Sequence, residues 1–449
     1  MDLPKPPKFR DLVGPSFILL GLGLGSGEVI LWPYLASNYG LGIIWGAVVG
    51  ISLQFFINME IERYALVKGE SVFVGYWRKS KYLPYWFIFS TFLGFGWPGI
   101  IASSAKILST VVGFENSYIL AIFLLFLIGF VLTLGKVLYK TVESLQKALI
   151  FFGVPSIFVL TFFLAKNSDW LALVNGTFGR GEGYLFLPAG ISISVFLGAL
   201  AFSGAGGNLN LAQSFYIKEK GYGMGKFSGK ITSILSGSVE DIKLEGEHFR
   251  ITNENLKIFK VWWRLINLEH ALIFWLTGLV TMCLLALLSY STTYGKATAT
   301  GVGFIFAEAL QISSLTFPFV GTFFLLLCGL MLFATQLTVL DASSRIMAEN
   351  LLLIKRNWKS KNLPKIYYTF LWSQIAFSIT VFLLGFREPF FLLVLQSAIN
   401  AGAMFVHIGF TLWLNLTDLR KEVRPSMFRV LVMVFAFLFF GYFTSRVLF

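Results

Sequence analysis

Charge is scarce in this chain. Asp, Glu, Lys and Arg together make up 13% of its 449 residues, against about a quarter in a soluble protein, and that excludes an ordinary globular enzyme. Cysteine is nearly absent: Cys283 and Cys328 are the only two. Both stand inside apolar runs, which excludes a disulfide scaffold or a metal cluster and reads as small buried hydrophobes. No Gly-rich phosphate loop ending in Lys-Ser/Thr, no His-Glu-x-x-His and no Cys/His cluster occurs, so neither an enzyme nor a self-contained ATP-driven pump is expected. What is abundant is apolar: 56% hydrophobic residues, 49 of them Phe, and a mean hydropathy of +0.75. The net charge of +13 comes from short basic clusters between apolar stretches. That is the pattern of cytoplasmic loops, not of a nucleic-acid surface. The chain reads as a monomeric multi-pass protein of the plasma (inner) membrane, with the lipid bilayer as its partner.

About 20 apolar residues cross a bilayer as a helix. Eleven such runs predict spans at 13–36, 41–62, 84–109, 117–137, 145–166, 188–215, 266–290, 317–352, 367–386, 390–415 and 428–447, with no cleavable signal before the first. One set of loops carries Lys5, Lys8, Arg10, then Arg78, Lys79, Lys81, then Lys136 and Lys140. The same set continues with Lys355 to Lys365 and ends at Arg420, Lys421 and Arg424. This set is expected to be cytoplasmic, which places the N-terminus inside and the C-terminus outside. Residues 1–449 then form one transmembrane domain. A polar cytoplasmic insert occupies 216–262, with a hairpin expected over 231–249 and a helix from Thr252 towards Trp263.

Two spans look broken. The first contains Gly21-Leu-Gly-Leu-Gly-Ser-Gly-Glu and the sixth Phe202-Ser-Gly-Ala-Gly-Gly-Asn. Glycine costs a helix about 1 kcal/mol relative to Ala, so such clusters predict unwinding. Unwound backbone at membrane depth is tolerated only when buried in protein or lining a cavity. Two interruptions five spans apart suggest an inverted-repeat secondary transporter with its substrate held between them; close packing through small residues is the alternative for either span alone. Ser26 would cap the second half of span 1, with Glu28 in its first turn, and Asn208 would cap the second half of span 6.

These residues resemble the Nramp family of proton-coupled divalent-metal transporters, and the resemblance runs over nearly the whole chain. It is carried by Gly14-Pro15, Asn38-Tyr-Gly-Leu, Leu53-Gln54, Arg63, Lys68-Gly-Glu70, Asp169-Trp170, Leu268-Glu269, Ala334-Thr-Gln-Leu-Thr338 and Met347-Ala-Glu349. It implies an all-α leucine-transporter-like fold of two inverted five-helix repeats plus an eleventh helix. The family's Asp-Pro-Gly-Asn motif falls on Gly25, Ser26, Gly27 and Glu28, and its Met-Pro-His-Asn motif on Ala205, Gly206, Gly207 and Asn208. A second sixth-span histidine falls on Ala212, the tenth-span Gln around Ala403, and no acid stands between Tyr85 and Ser104 in span 3. The resemblance therefore implies a divergent branch without the usual transition-metal ligands.

Without the Met there is no soft ligand to favour manganese or iron. Glu28 is the one anionic group left at the break to serve as a metal ligand, and the exchange of Asp, Asn and Met for Gly, Glu and Ala predicts a wider, backbone-lined pocket. The expected substrate site comprises Gly25, Ser26, Glu28, Phe202, Ser203, Ala205, Gly206, Gly207 and Asn208. No resident cofactor is expected, only a divalent cation, sodium or a proton as transported species. Asp341 within span 8 is costly there. With Thr338 and Ser344 it is expected to bind the coupling ion, an ion pair with Arg345 being the alternative. Trp32 and Trp97 are expected to pack or face lipid, stacking on an organic substrate being the alternative, and His407 to pack, a proton relay being the alternative. Glu60, Glu62 and Arg63 are expected to form an inner-side salt-bridge network or gate, and Glu269 and His270 a solvated or interfacial contact. Three functions stay open: secondary active transport of a cation, transport of a small organic or other non-metal solute, and a non-transporting sensor or scaffold.

Overall fold

The computed structural model describes residues 1–12, 14–23, 25–134, 138–228, 244–296, 301–355 and 362–448. Among the described residues ten helices are long and apolar enough to cross a membrane: Pro15–Tyr39, Leu41–Lys68, Leu83–Val112, Ser117–Leu134, Val142–Leu164, Asn253–Thr293, Pro318–Ile354, Leu363–Leu383, Pro389–Asp418 and Met427–Val447. An eleventh span is split too finely to count as one helix: Ile193–Ala201, a 3-10 stretch Gly207–Ala212, and Gln213–Lys220. In chain order these are spans 1 to 11, the split one being span 6, and the chain is an integral multi-pass membrane protein. The predicted spans sit where the structure has them. The largest differences are at the insert, whose flanks belong to helices: span 6 runs on to Lys220, and span 7 begins at Asn253, capped by the Thr252 hydroxyl. Of the expected hairpin, residues 229–243 lie outside the described residues, and 244–250 are irregular. Lys136, Arg356, Lys359 and Lys361 also lie outside the described residues.

The packing shows the inverted repeat directly. Span 5 packs on spans 1, 7 and 8, and span 10 packs on spans 6, 2 and 3. Exchanging each span of the first five with its counterpart in the second five maps one set onto the other. Spans 3, 4, 8 and 9 pack on one another, and so do spans 1, 2, 6 and 7, while span 11 lies against spans 10, 2 and 6.

The two ends differ in chemistry. At the basic end, where the Lys- and Arg-rich loops lie, Arg63 pairs with Glu60 at 2.8 Å and Arg429 with Glu60 at 3.3 Å. Lys68 pairs there with Asp418 at 3.4 Å, and Arg78 with Glu70. Every ion pair among the described residues lies at this end. The opposite end is joined by hydroxyl contacts: Ser37 to Thr293 at 2.7 Å, the Tyr184 hydroxyl donating to the Tyr39 carbonyl at 2.8 Å, and the Tyr290 hydroxyl donating to the Glu182 carboxylate at 2.6 Å. Burial and the neighbouring Tyr294 and Glu182 hold the Tyr184 phenol above its ordinary range, so it stays a donor. Residues 1–4 lie along the start of span 7, where Arg250 N–H donates to the Met1 carbonyl at 2.9 Å and the Trp262 indole to Pro4 at 2.6 Å.

Candidate substrate site at the two helix breaks

Span 1 leaves α-helical geometry after Gly23 and resumes as a π turn, Ser26–Leu31. Span 6 stops at Ala201 and resumes at Gly207. Gly206 and Gly207 have φ of +73° and +54°, a region open to glycine and costly to side chains.

The breaks touch. A Cβ on Gly23 would lie 2.9 Å from the backbone of Gly204, and one on Gly27 would overlap the Phe202 carbonyl. This corrects the expectation of a wider pocket: loss of side-chain volume has let the two backbones close on each other, as small residues do between membrane helices. The site is backbone-lined, as the sequence suggests, but narrow.

Four of the freed backbone groups are met by side chains from neighbouring spans, as burial in lipid demands. Gln54 of span 2 donates to Ala201 O at 2.9 Å and accepts from Gly206 N–H at 3.2 Å. Thr335 of span 8 donates to Gly21 O at 3.0 Å. His407 of span 10 meets Gly207 O at 2.9 Å, so it braces the break rather than merely filling space. Capping differs from expectation. Neither the span 1 π turn nor the Gly207 turn has a side-chain cap. Asn208 instead donates to Ser90 at 2.8 Å and Thr91 at 2.9 Å of span 3, and Ser26 is the first residue of the π turn, one place too late to cap it. Ser203 donates to Ala199 O at 2.8 Å and accepts from the Trp32 indole at 2.9 Å, which fixes Trp32 as a packing residue. Trp97 likewise packs edge-on to Phe377. Gly25 abuts Thr335, and Ala205 and Ala212 are buried.

Glu28 is fully buried, and neither carboxylate oxygen has a hydrogen-bond partner. Its Oε1 reaches towards span 7, where a Cβ on Gly278 would lie 3.4 Å from it, beside Ile51 and Leu20. Other unpartnered buried polar atoms lie on the elements that surround the breaks: Asn208 Oδ1 and both side-chain atoms of Asn210, the amides of Gln336 and Gln396, and Asn400 Oδ1. Native interiors leave few such groups, and each calls for an explanation. Asn400 touches Gly94 and Gly207, so span 10 faces the break through Asn400, one turn before Ala403. Among the described residues no three His, Cys, Asp or Glu side chains are arranged to hold a metal ion. A cation here would rest on Glu28 and on carbonyls such as Phe202 O.

The expected coupling-ion trio is not assembled. Asp341 accepts from Arg345 Nε at 2.9 Å through both oxygens and from the Tyr367 hydroxyl at 2.8 Å. Thr338 takes its bond from Gln146, and Ser344 accepts from Gln374 at 3.0 Å. With Arg345 also bound to Glu219, Asp341 belongs to an ion network joining spans 6, 8 and 9, because a guanidinium one turn away satisfies it before any ion can.

Gln54, Thr335 and Asn400 were not expected at the site. Their signal was present as isolated amides and hydroxyls inside apolar spans, where a polar group needs a partner.

No known family profile matches the chain, and no curated protein matches it by sequence. Solved structures do. A mutant of the manganese transporter of Eremococcus coleocola superposes with a TM-score of 0.72, at 12% identity, over 99% of this chain and 88% of that one. The same transporter with an aromatic bis-isothiourea substituted compound gives 0.71 at the same identity and coverage. The fold is that of this transporter.

Proposed function

We propose that the chain is a divergent Nramp-like secondary active transporter that carries a small hard cation by alternating access. On this reading the basic end faces the cytoplasm and the C-terminus the outside of the plasma membrane. One observation carries the proposal: a fully buried carboxylate, Glu28, stands without any partner beside two touching helix breaks in a fold shared with a manganese transporter. An ionised carboxylate in such a place costs several kcal/mol unless a positive charge joins it. A cation supplies that charge. Backbone carbonyls and unpartnered amides supply the hard oxygen donors that magnesium or calcium prefers. The contact of Gly23 with Gly204 leaves no room there for a bulky organic solute, which favours an ion.

The test is calorimetry on purified protein with magnesium, calcium and manganese, and uptake of each into proteoliposomes. Binding and uptake that are lost in Glu28→Gln, in protein that still runs as a single species, support the reading. Binding of none of the three by wild-type protein refutes it.

A further inference from the structure

At the basic end, spans 1, 2, 6 and 7 enclose a second polar cluster that the substrate site does not use. Glu62, Glu269 and His270 are each no more than 1% exposed. The Ser16 hydroxyl donates to Glu269 Oε2 and lies 2.8 Å from His270 Nδ1. That same Nδ1 is 3.6 Å from Glu62 Oε1, which also accepts from the Gln213 amide. The Gly14 N–H donates to Glu269 Oε1 at 3.4 Å. Ser16 has one proton and gives it to Glu269, so its oxygen must accept from Nδ1–H. Two acids are thus joined through one imidazole and one hydroxyl. Three atoms of the cluster have no partner, Glu62 Oε2, His270 Nε2 and Gln213 Oε1.

We propose that Glu62, His270, Ser16 and Glu269 form the coupling-proton site of the transporter. The proposal rests on the transport reading above and adds the identity and location of the driving ion. The charge balance favours it. Arg429 of span 11 acts on Glu62, and Lys220 at the end of span 6 acts on Glu269. Arg429 is already bound to Glu60 at 3.3 Å and Lys220 to Glu143 at 3.2 Å. Tyr222 faces both acids and brings no positive charge. The acids therefore share too little positive charge, and one proton bound at Glu62 Oε2 makes up the difference.

The ligand is a proton and not a metal or sodium ion. The imidazole is stacked on Phe274, with ring centroids 4.6 Å apart, and faces Phe55 at 5.6 Å. On both ring faces the imidazole meets only carbon, so a hard cation would find no ligands there. Proton occupancy also reaches the parts that must move. Gly14 and Ser16 belong to the first half of span 1, cut from its second half at Gly25, and Gln213 opens the last helix of span 6. With the proton present the acids hold both pieces to spans 2 and 7. When it leaves, two neighbouring carboxylates repel, and the grip on the half-helices loosens.

The test uses the full chain in lipid. Infrared difference spectra between about pH 5.5 and about pH 8 are expected to show a protonated-carboxyl band that titrates in wild type and in Glu28→Gln. The band should be lost in Glu62→Gln and Glu269→Gln, and its midpoint should move in Ser16→Ala. In proteoliposomes an inward gradient of one pH unit should drive accumulation of whichever of magnesium, calcium and manganese the wild type carries up to about tenfold, the factor one proton supplies. Glu62→Gln should keep downhill uptake and lose that stimulation. A band that titrates identically in both Gln variants overturns the proposal, as does driving by a sodium gradient. If either Gln variant fails to fold, Ser16→Ala decides: an unmoved midpoint overturns it. A titrating band that behaves as described, in a protein that carries none of the three divalent ions, supports the proton site and refutes the cation reading instead.

Discussion

Adding one methyl group at Gly27 tests the contact between the two breaks. A Cβ there would overlap the carbonyl of Phe202 and lie 3.1 Å from the Phe202 Cβ. The neighbour cannot step aside easily. Phe202 N–H is bound to Gly198 O at 3.0 Å, and the preceding carbonyl is held by Gln54 at 2.9 Å. Overpacking against a fixed neighbour costs about 1–3 kcal/mol, and the obstacle here is backbone, so the upper end applies. Helix propensity returns at most about 1 kcal/mol on going from Gly to Ala. The net loss of about 2 kcal/mol lowers the thermal midpoint by about 2–4 °C. The control is Gly153→Ala in span 5, where the added methyl would meet Leu327 Cδ1 at 3.5 Å and Met331 Sδ at 3.7 Å, ordinary contact distances. That change should be neutral or stabilising by about 0.5–1 kcal/mol. Thermal unfolding of both variants in the same detergent, with uptake measured alongside, gives the comparison. A Gly27→Ala protein as stable and active as the control would show that the breaks do not meet, and the substrate-site argument would fail with it.

Gln54→Leu should cost about 2–4 kcal/mol, because it strands the Ala201 carbonyl and the Gly206 N–H in an apolar interior; thermal unfolding and loss of uptake check it. Asp341→Asn should destabilise the fold by about 3–5 kcal/mol by removing one partner of the buried Arg345 pair; a protein of wild-type stability would return Asp341 to consideration as an ion site. Burial lowers the His248 pKa below its ordinary value, so the unfolded chain binds more protons there than the folded one. Its contribution is complete above the unfolded value of about 6.5 and is lost as pH falls through the window below it. Hydrogen-exchange protection in 244–250, taken relative to the intrinsic rate at each pH, should therefore fall from about pH 7 to about pH 5 in wild type and change less in His248→Gln.

The spans were legible because lipid imposes a length and an apolar composition on each crossing, and the glycine clusters marked both breaks. The closure of the breaks was not legible. Whether missing side-chain volume leaves a hollow or lets backbones meet depends on neighbours from spans 2, 8 and 10, and no local pattern ties Gln54 to Gly206 or Thr335 to Gly21. Asp341 misled for a similar reason: an acid in an apolar span signals a partner, and Arg345 one turn on was that partner. Glu62 looked like part of a salt-bridge network or gate, and Glu269 and His270 like a separate interfacial contact, because one lies in the first repeat and the other two in the second.

The unequal stitching of the two ends makes the protein's balance depend on heat. Hydration of charged groups weakens on warming, so bonds like Arg63–Glu60 and Arg345–Asp341 lose less of their hold than the hydroxyl and amide contacts across the far mouth. A cold molecule and a hot one would then favour different sides. Warming should bias the resting population towards the state open at the far mouth, with the charged floor still shut.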